Sequence, residues 1–172
     1  MRRFFSKFLT PRTFPERIKT PQELNAELLQ LIRDWDPTQG EDLLMPQVGD
    51  LISSGANALN SALVAAARKG FCKVAKGLVQ EGADVNHIGE YGDTALFDAI
   101  RAHNVSMVRT LVAAGADVNT LKNGTPVLLW AMDYLYQNYM APESEDLTEI
   151  GEILINHPSI NPDTLSFPQT LN

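Results

Sequence analysis

Apolar residues fall along the chain in short stripes of helical period, broken by turns rich in glycine and asparagine. Met107, Val108, Leu111 and Val112 recur at i, i+1, i+4 and i+5, which lines one face of a helix. Leu24, Leu28, Leu31, Ile32 and Trp35 make the same kind of face over residues 21–35. Thr20 reads there as the N-cap, Pro21 as the first helical residue and Glu23 as the third, a capping box. The stretch Asp36–Met45 reads as a connection, leading to a short helix that begins near Pro46. Farther on, a helix runs through Trp130 and Tyr134 toward Met140. An acidic loop, Pro142-Glu143-Ser144-Glu145-Asp146, follows it. Leu147, Ile150, Ile153 and Leu154 then mark one more helix.

These stripes repeat. Gly82-Ala83-Asp84-Val85-Asn86 returns as Gly115-Ala116-Asp117-Val118-Asn119, an offset of 33 residues. The same offset carries Ser61-Ala62-Leu63 onto Thr94-Ala95-Leu96, Ala66 onto Ala99, Leu78 onto Leu111 and Val79 onto Val112. Thr94 is placed to cap a short first helix whose alanines permit close stacking. His103 falls where Gly70 falls one unit earlier, in the left-handed slot between two helices, which glycine fills best and histidine tolerates. Gly115 stands just past the end of the second helix, as a C′ glycine does. The segment from Asn119 to the next threonine then reads as a finger reaching to the following unit. Leu51-Ile52-Ser53-Ser54-Gly55-Ala56-Asn57 is a worn copy upstream, with a truncated finger before Ser61. Gly124-Thr125-Pro126 opens a third unit that closes on the worn Asn156–Asn161.

The pattern resembles the ankyrin-repeat family. That family opens each unit with Thr-Pro-Leu-His-x-Ala, turns on Gly-His and closes on Gly-Ala-Asp-Val-Asn, and Tyr91–Ala99 is a good copy of its opening. Ala62 and Ala95 replace the motif's proline, while Val64 and Phe97 replace its histidine. The resemblance implies an all-α solenoid of about four helical hairpins with short β-hairpin fingers. It divides the chain into a basic aromatic tail at 1–19, a repeat domain at 20–162 and a C-terminal tail at 163–172. Within the domain, a cap spans 20–57 and repeats span about 58–88, 89–120 and 121–161. It also implies a non-catalytic protein–protein interaction module with no cofactor, similar to stand-alone bacterial ankyrin proteins, some of which are effectors delivered into a host cell. A partner that neutralises a toxin is the other version of this reading. For Asn86 and Asn119 the plain expectation is a hydrogen bond to the backbone of each one's own finger. In the family such asparagines also resemble substrates of an animal asparaginyl hydroxylase.

Such a stack binds on its concave face, through first helices and fingers. The register places Ala65, Arg68 and Lys69 there from one unit and Asp98, Arg101 and Ala102 from the next. The full-length finger adds Ile88, Glu90, Tyr91 and Asp93. If Ala131 corresponds to Ala99, Trp130 joins this face with Asp133 and Tyr134; if Trp130 itself corresponds to Ala99, it is core. A tryptophan is large for a small-residue stacking position, which favours the first register. Arg68, Lys69 and Arg101 beside Tyr91 and Trp130 would suit a partner segment of acidic and apolar character.

Charge refines this picture. The chain carries 14 Lys and Arg against 21 Asp and Glu, a formal −7. Residues 1–20 hold six cations and one acid, a net +5, which leaves −12 on the rest. An acidic body does not attract nucleic acid. The basic aromatic segment with Arg2, Arg3, Phe4, Phe5, Lys7 and Phe8 is open to several readings: a flexible tail, a weak contact with an anionic membrane, a mitochondrial-type targeting peptide, or packing on the cap. The membrane contact would make the chain a tethered scaffold, the alternative function. Cys72 is the sole cysteine, so no internal disulfide forms, which points to a reducing compartment such as the cytoplasm, or the host cytosol for an effector. No apolar run reaches the roughly 18–20 residues of a membrane span. His87, His103 and His157 fall in turns and fingers of separate units, without metal-ligand spacing.

Overall fold

Thr20 opens the first helix as the residues around it dictate. Its hydroxyl accepts from the Glu23 amide at 3.3 Å and the Glu23 carboxylate accepts from the Thr20 amide at 2.7 Å, so the capping box is complete. The computed structural model describes residues 18–89, 92–122, 124–139 and 145–162, and side chains throughout these except at 134–139 and 145–147. Helix α1 spans Pro21–Asp34 and buries Leu24, Leu28 and Ile32. A single 3-10 turn at Pro37–Gln39 follows, with the Asp36 carboxylate accepting from the Thr38 amide at 2.9 Å. That bond holds the Asp36 carboxyl below the usual range.

Helix α2 covers Glu41–Ser53, five residues ahead of the start expected near Pro46. Burial explains the difference. Leu44 and Val48 are both buried, and at i and i+4 they share a face only if the helix already includes Leu44. Glu41 and Asp42 lie in its first turn, where carboxylates meet the positive end of the helix dipole. Pro46 lies on the exposed side, where water can serve the carbonyl that lacks an amide partner.

The remaining helices alternate: α3 (Leu59–Lys69), α4 (Cys72–Gln80), α5 (Ala95–Arg101), α6 (Val105–Ala113), α7 (Val127–Tyr139) and α8 (Glu145–Ile155). Consecutive pairs form four hairpins. First helices α1, α3, α5 and α7 pack side by side in one layer, and α2, α4, α6 and α8 in the other. Ala62, Ala66, Ala95 and Ala99 are fully buried in the first-helix layer, where small side chains let helices approach closely. Leu78, Leu96, Met107 and Leu111 fill the space between layers. The α7 helix has 13 residues against 7 in α5, the extension expected of the third unit.

The turns carry the repeat. The Gly82 amide donates to the Val79 carbonyl and the Ala83 amide to that of Leu78; Gly115 and Ala116 do the same 33 residues on. These are Schellman closures, with φ of +98° and +92° at the glycines. His103 takes the left-handed slot at φ +53°, matching Gly70 at +79°.

Asparagines then bridge the units. Asn86 accepts from the Asp117 amide at 2.8 Å and donates to the Gly115 carbonyl at 3.2 Å. Asn119 accepts from the Asn161 amide at 2.8 Å and donates to the Ser159 carbonyl at 2.7 Å. Both reach the next unit, contrary to the expectation of a bond within the same finger. The local bond is already taken, because Asp84 and Asp117 accept from the amides of Asn86 and Asn119 at 2.9 and 2.8 Å. Asn25 and Asn60 bridge likewise, to the amides of Asn57 and Asp84. Among the described residues, regular strand pairing occurs in the finger of the third unit, where β1 (Leu121–Lys122) runs antiparallel to β2 (Thr125–Pro126).

Candidate functional site

The inner face is built by the C-terminal turns of the first helices together with the fingers. Each of α1, α3 and α5 carries an arginine in its last turn: Arg33, Arg68 and Arg101. Cations are favoured there by the negative end of the helix dipole. Stacking the helices in parallel lines the three arginines up along the face.

Between Arg68 and Arg101 lies Asp98, 1% exposed. Its carboxylate accepts from the Arg68 guanidinium at 3.0 Å and from that of Arg101. Asp93, 4% exposed, accepts from Arg101 at 3.3 Å and from the Lys122 ammonium. Both aspartates therefore leave the solvent-facing set expected for them. A buried carboxylate is tolerated only when it is paired and hydrogen-bonded, and here two carboxylates are held by three cations. Ala65 is buried as well. The Arg68 and Arg101 side chains remain 47% and 36% exposed on the outside of this network while that of Lys122 is largely buried, so the two guanidinium groups present positive charge on this face although the body of the chain is acidic.

Trp130 is half-buried and meets the Phe97 ring edge to face, with centroids 5.2 Å apart at 74°. Ala131 is buried, so Ala131, not Trp130, takes the small stacking position. The Lys122 ammonium lies 5.2 Å from the Trp130 ring centre and 5.6 Å from that of Phe97, a cation–π arrangement. Ile88 is 65% exposed on its finger, and Leu121, its equivalent 33 residues on, is 60% exposed. Lys69 is exposed at the end of α3. Glu90 and Tyr91, and the side chain of Tyr134, lie outside the described residues.

Sequence reasoning missed Lys122, Leu121 and Arg33. Leu121 was within reach through the 33-residue offset from Ile88. Lys122 has no such signal, because its role depends on a carboxylate 29 residues away.

Outside this face, the Cys72 thiol is pushed up by its burial and by the nearby Glu41 carboxylate, which disfavours the nucleophilic thiolate. Among the described residues no group of three or more His, Cys, Asp and Glu is placed to hold a metal ion, and no helix is long and apolar enough to cross a membrane.

The family model for ankyrin repeats, in three copies, matches residues 42–134, more than half of the 172-residue chain. No curated protein matches the sequence. Ankyrin repeats are generally protein–protein interaction modules and typically non-catalytic. The matched region runs from α2 into α7, through the two Schellman-closed units and their asparagine bridges, and on these grounds the chain belongs to the ankyrin-repeat family.

Proposed function

We propose that the chain binds a partner protein through its inner face and acts by occupancy, as an adaptor, effector or inhibitor. The observation that carries this reading is the pair Ile88 and Leu121. Equivalent positions on successive fingers each hold a branched apolar side chain more than half exposed, next to an aromatic pair and a row of cations. Exposed apolar groups rimmed by polar ones mark interaction surfaces, and a few such anchors supply most of the binding energy.

The experiment is a pull-down with the full chain as bait, comparing wild type with Ile88→Asp plus Leu121→Asp. Both side chains point to solvent, so the double variant keeps its circular dichroism spectrum. Loss of the partner recovered by wild type is the expected result; equal recovery by both baits overturns the reading. The membrane-tether alternative rests on residues 1–19, of which Ile18 and Lys19 lie within the described structure, and no structural observation favours it.

A further inference from the structure

The first-helix arginines are unequally compensated. Arg68 and Arg101 share the carboxylate of Asp98, which reaches both from α5. One unit earlier the same geometry would place a carboxylate between Arg33 and Arg68. The residue 33 positions before Asp98 is Ala65. An open groove lies at that spot, between α1 and α3. Leu29, Val64 and Ala65 form its apolar floor, and Arg33, Arg68 and Lys69 supply its charge. The backbone of Gly89, on the finger, bounds it. None of the described residues lining it is acidic. Neither Arg33 nor Lys69 is ion-paired among the described residues, and Arg68 shares Asp98 with Arg101.

We infer that this groove takes an acidic side chain from a partner protein, seated over Ala65 between Arg33 and Arg68, with an adjoining apolar residue on Leu29 and Val64. The inference rests on the protein-binding reading above and names the chemistry the partner brings. The partner's carboxylate supplies in trans what Asp98 supplies in cis one unit along. Charge complementarity selects this occupant. Three cations whose only carboxylate partner among the described residues is one shared aspartate repel one another in an otherwise acidic body, and a planar carboxylate can accept from two guanidinium groups at once, as Asp98 does. The site also moves the acid-reading end of the face. Arg101 and Trp130, expected to share that task, are occupied by Asp93, Asp98 and Phe97, whereas Arg33 has no carboxylate partner among the described residues.

The test is fluorescence anisotropy of the full chain with a labelled, C-terminally amidated peptide of Glu-Leu-Leu-Glu repeats. The expected result is binding that weakens as ionic strength rises and that falls by about tenfold or more for the Gln-Leu-Leu-Gln peptide, the loss of a charge-assisted contact. Ala65→Asp fills the groove with the chain's own carboxylate, so it should weaken the Glu peptide by about tenfold or more while the melting temperature holds or rises. Arg33→Gln, an exposed change, should weaken it similarly with the fold intact, and it decides the matter if Ala65→Asp does not fold. Equal affinity for the Glu and Gln peptides overturns the inference, as does wild-type affinity in Arg33→Gln. Two further outcomes also overturn it: recovery of affinity when the Gln peptide carries a free C-terminal carboxylate, and displacement of the Glu peptide by inorganic phosphate as complete as by unlabelled peptide. If the peptide results fail while Ile88→Asp plus Leu121→Asp still loses the pull-down partner, the groove inference falls and the protein-binding reading stands.

Discussion

Asp98 and Ala65 occupy the same place in successive units, and that one difference decides whether two neighbouring arginines are bridged or left open. Side chains in this protein do most of their work across unit boundaries. Asn86 is the clearest case, since both halves of its amide bond the backbone of the following turn. Asn86→Ala removes both bonds and leaves the Asp117 amide to water. Each bond is worth about 1 kcal/mol net at most on so accessible a turn, so the urea midpoint should fall by an amount corresponding to about 1–2 kcal/mol, with an unchanged slope. A midpoint equal to wild type would show that the bridge contributes nothing to stability. The role of Asn86 was half legible: its recurrence marked it as structural, but the direction of its bonds depended on Asp84 having already closed the local turn.

At the scale of elements, helices lend each other their caps. Helix α4 begins at Cys72 without a capping side chain of its own. The Glu41 carboxylate, from the first turn of α2, accepts from the Lys73 amide at 2.6 Å and the Val74 amide at 3.1 Å. It thus serves two of the amides that a helix N-terminus leaves unpaired. Asp42 reinforces the junction by accepting from the Lys73 ammonium at 2.6 Å, which holds the Lys73 pKa above its usual value through that hydrogen bond. Glu41→Ala should therefore cost about 1 kcal/mol, the size of a lost N-cap, although the substituted residue belongs to a different helix. Denaturation followed by circular dichroism measures this; a loss near zero would mean that water caps α4 equally well. The same junction explains why α2 starts at Glu41 rather than near Pro46. Glu41 and Asp42 look like loop residues until α4 is packed against them.

The whole molecule is a row of hairpins in which each unit leans chiefly on its neighbours. Stability in such a row is close to a sum of unit and interface contributions. The inner hairpins α3–α4 and α5–α6 are covered on both sides, whereas α7–α8 packs on α5 and α6 alone among the described helices. Amides of α8 should accordingly exchange with deuterium faster than those of α4 and α6, which open only in larger units. Hydrogen exchange resolved by peptide checks this, and equal protection across the three helices would indicate one cooperative block. The row also sets where the binding face lies. Parallel stacking of first helices brings their last turns together, which places three arginines on one side of an acidic chain.

Local chemistry alone determined the period, the cap of α1, the left-handed turns and the helical hairpin as the unit, because each of these depends on residues a few positions apart. The capping box at Thr20, the glycine closures at 82 and 115 and the left-handed His103 needed nothing beyond their neighbours in sequence. Tertiary structure decided the rest. It turned Asp93 and Asp98 from exposed contacts into buried counter-ions, sent Asn86 and Asn119 to the next unit, placed Ala131 rather than Trp130 in the stacking position and left Arg33 and Lys69 without a carboxylate partner among the described residues. The physical reason is distance along the chain. The Arg68–Asp98 and Lys122–Asp93 pairs and the bridging amides join groups about one repeat apart, and which of them meet is settled only when the units stack and water is excluded from between them.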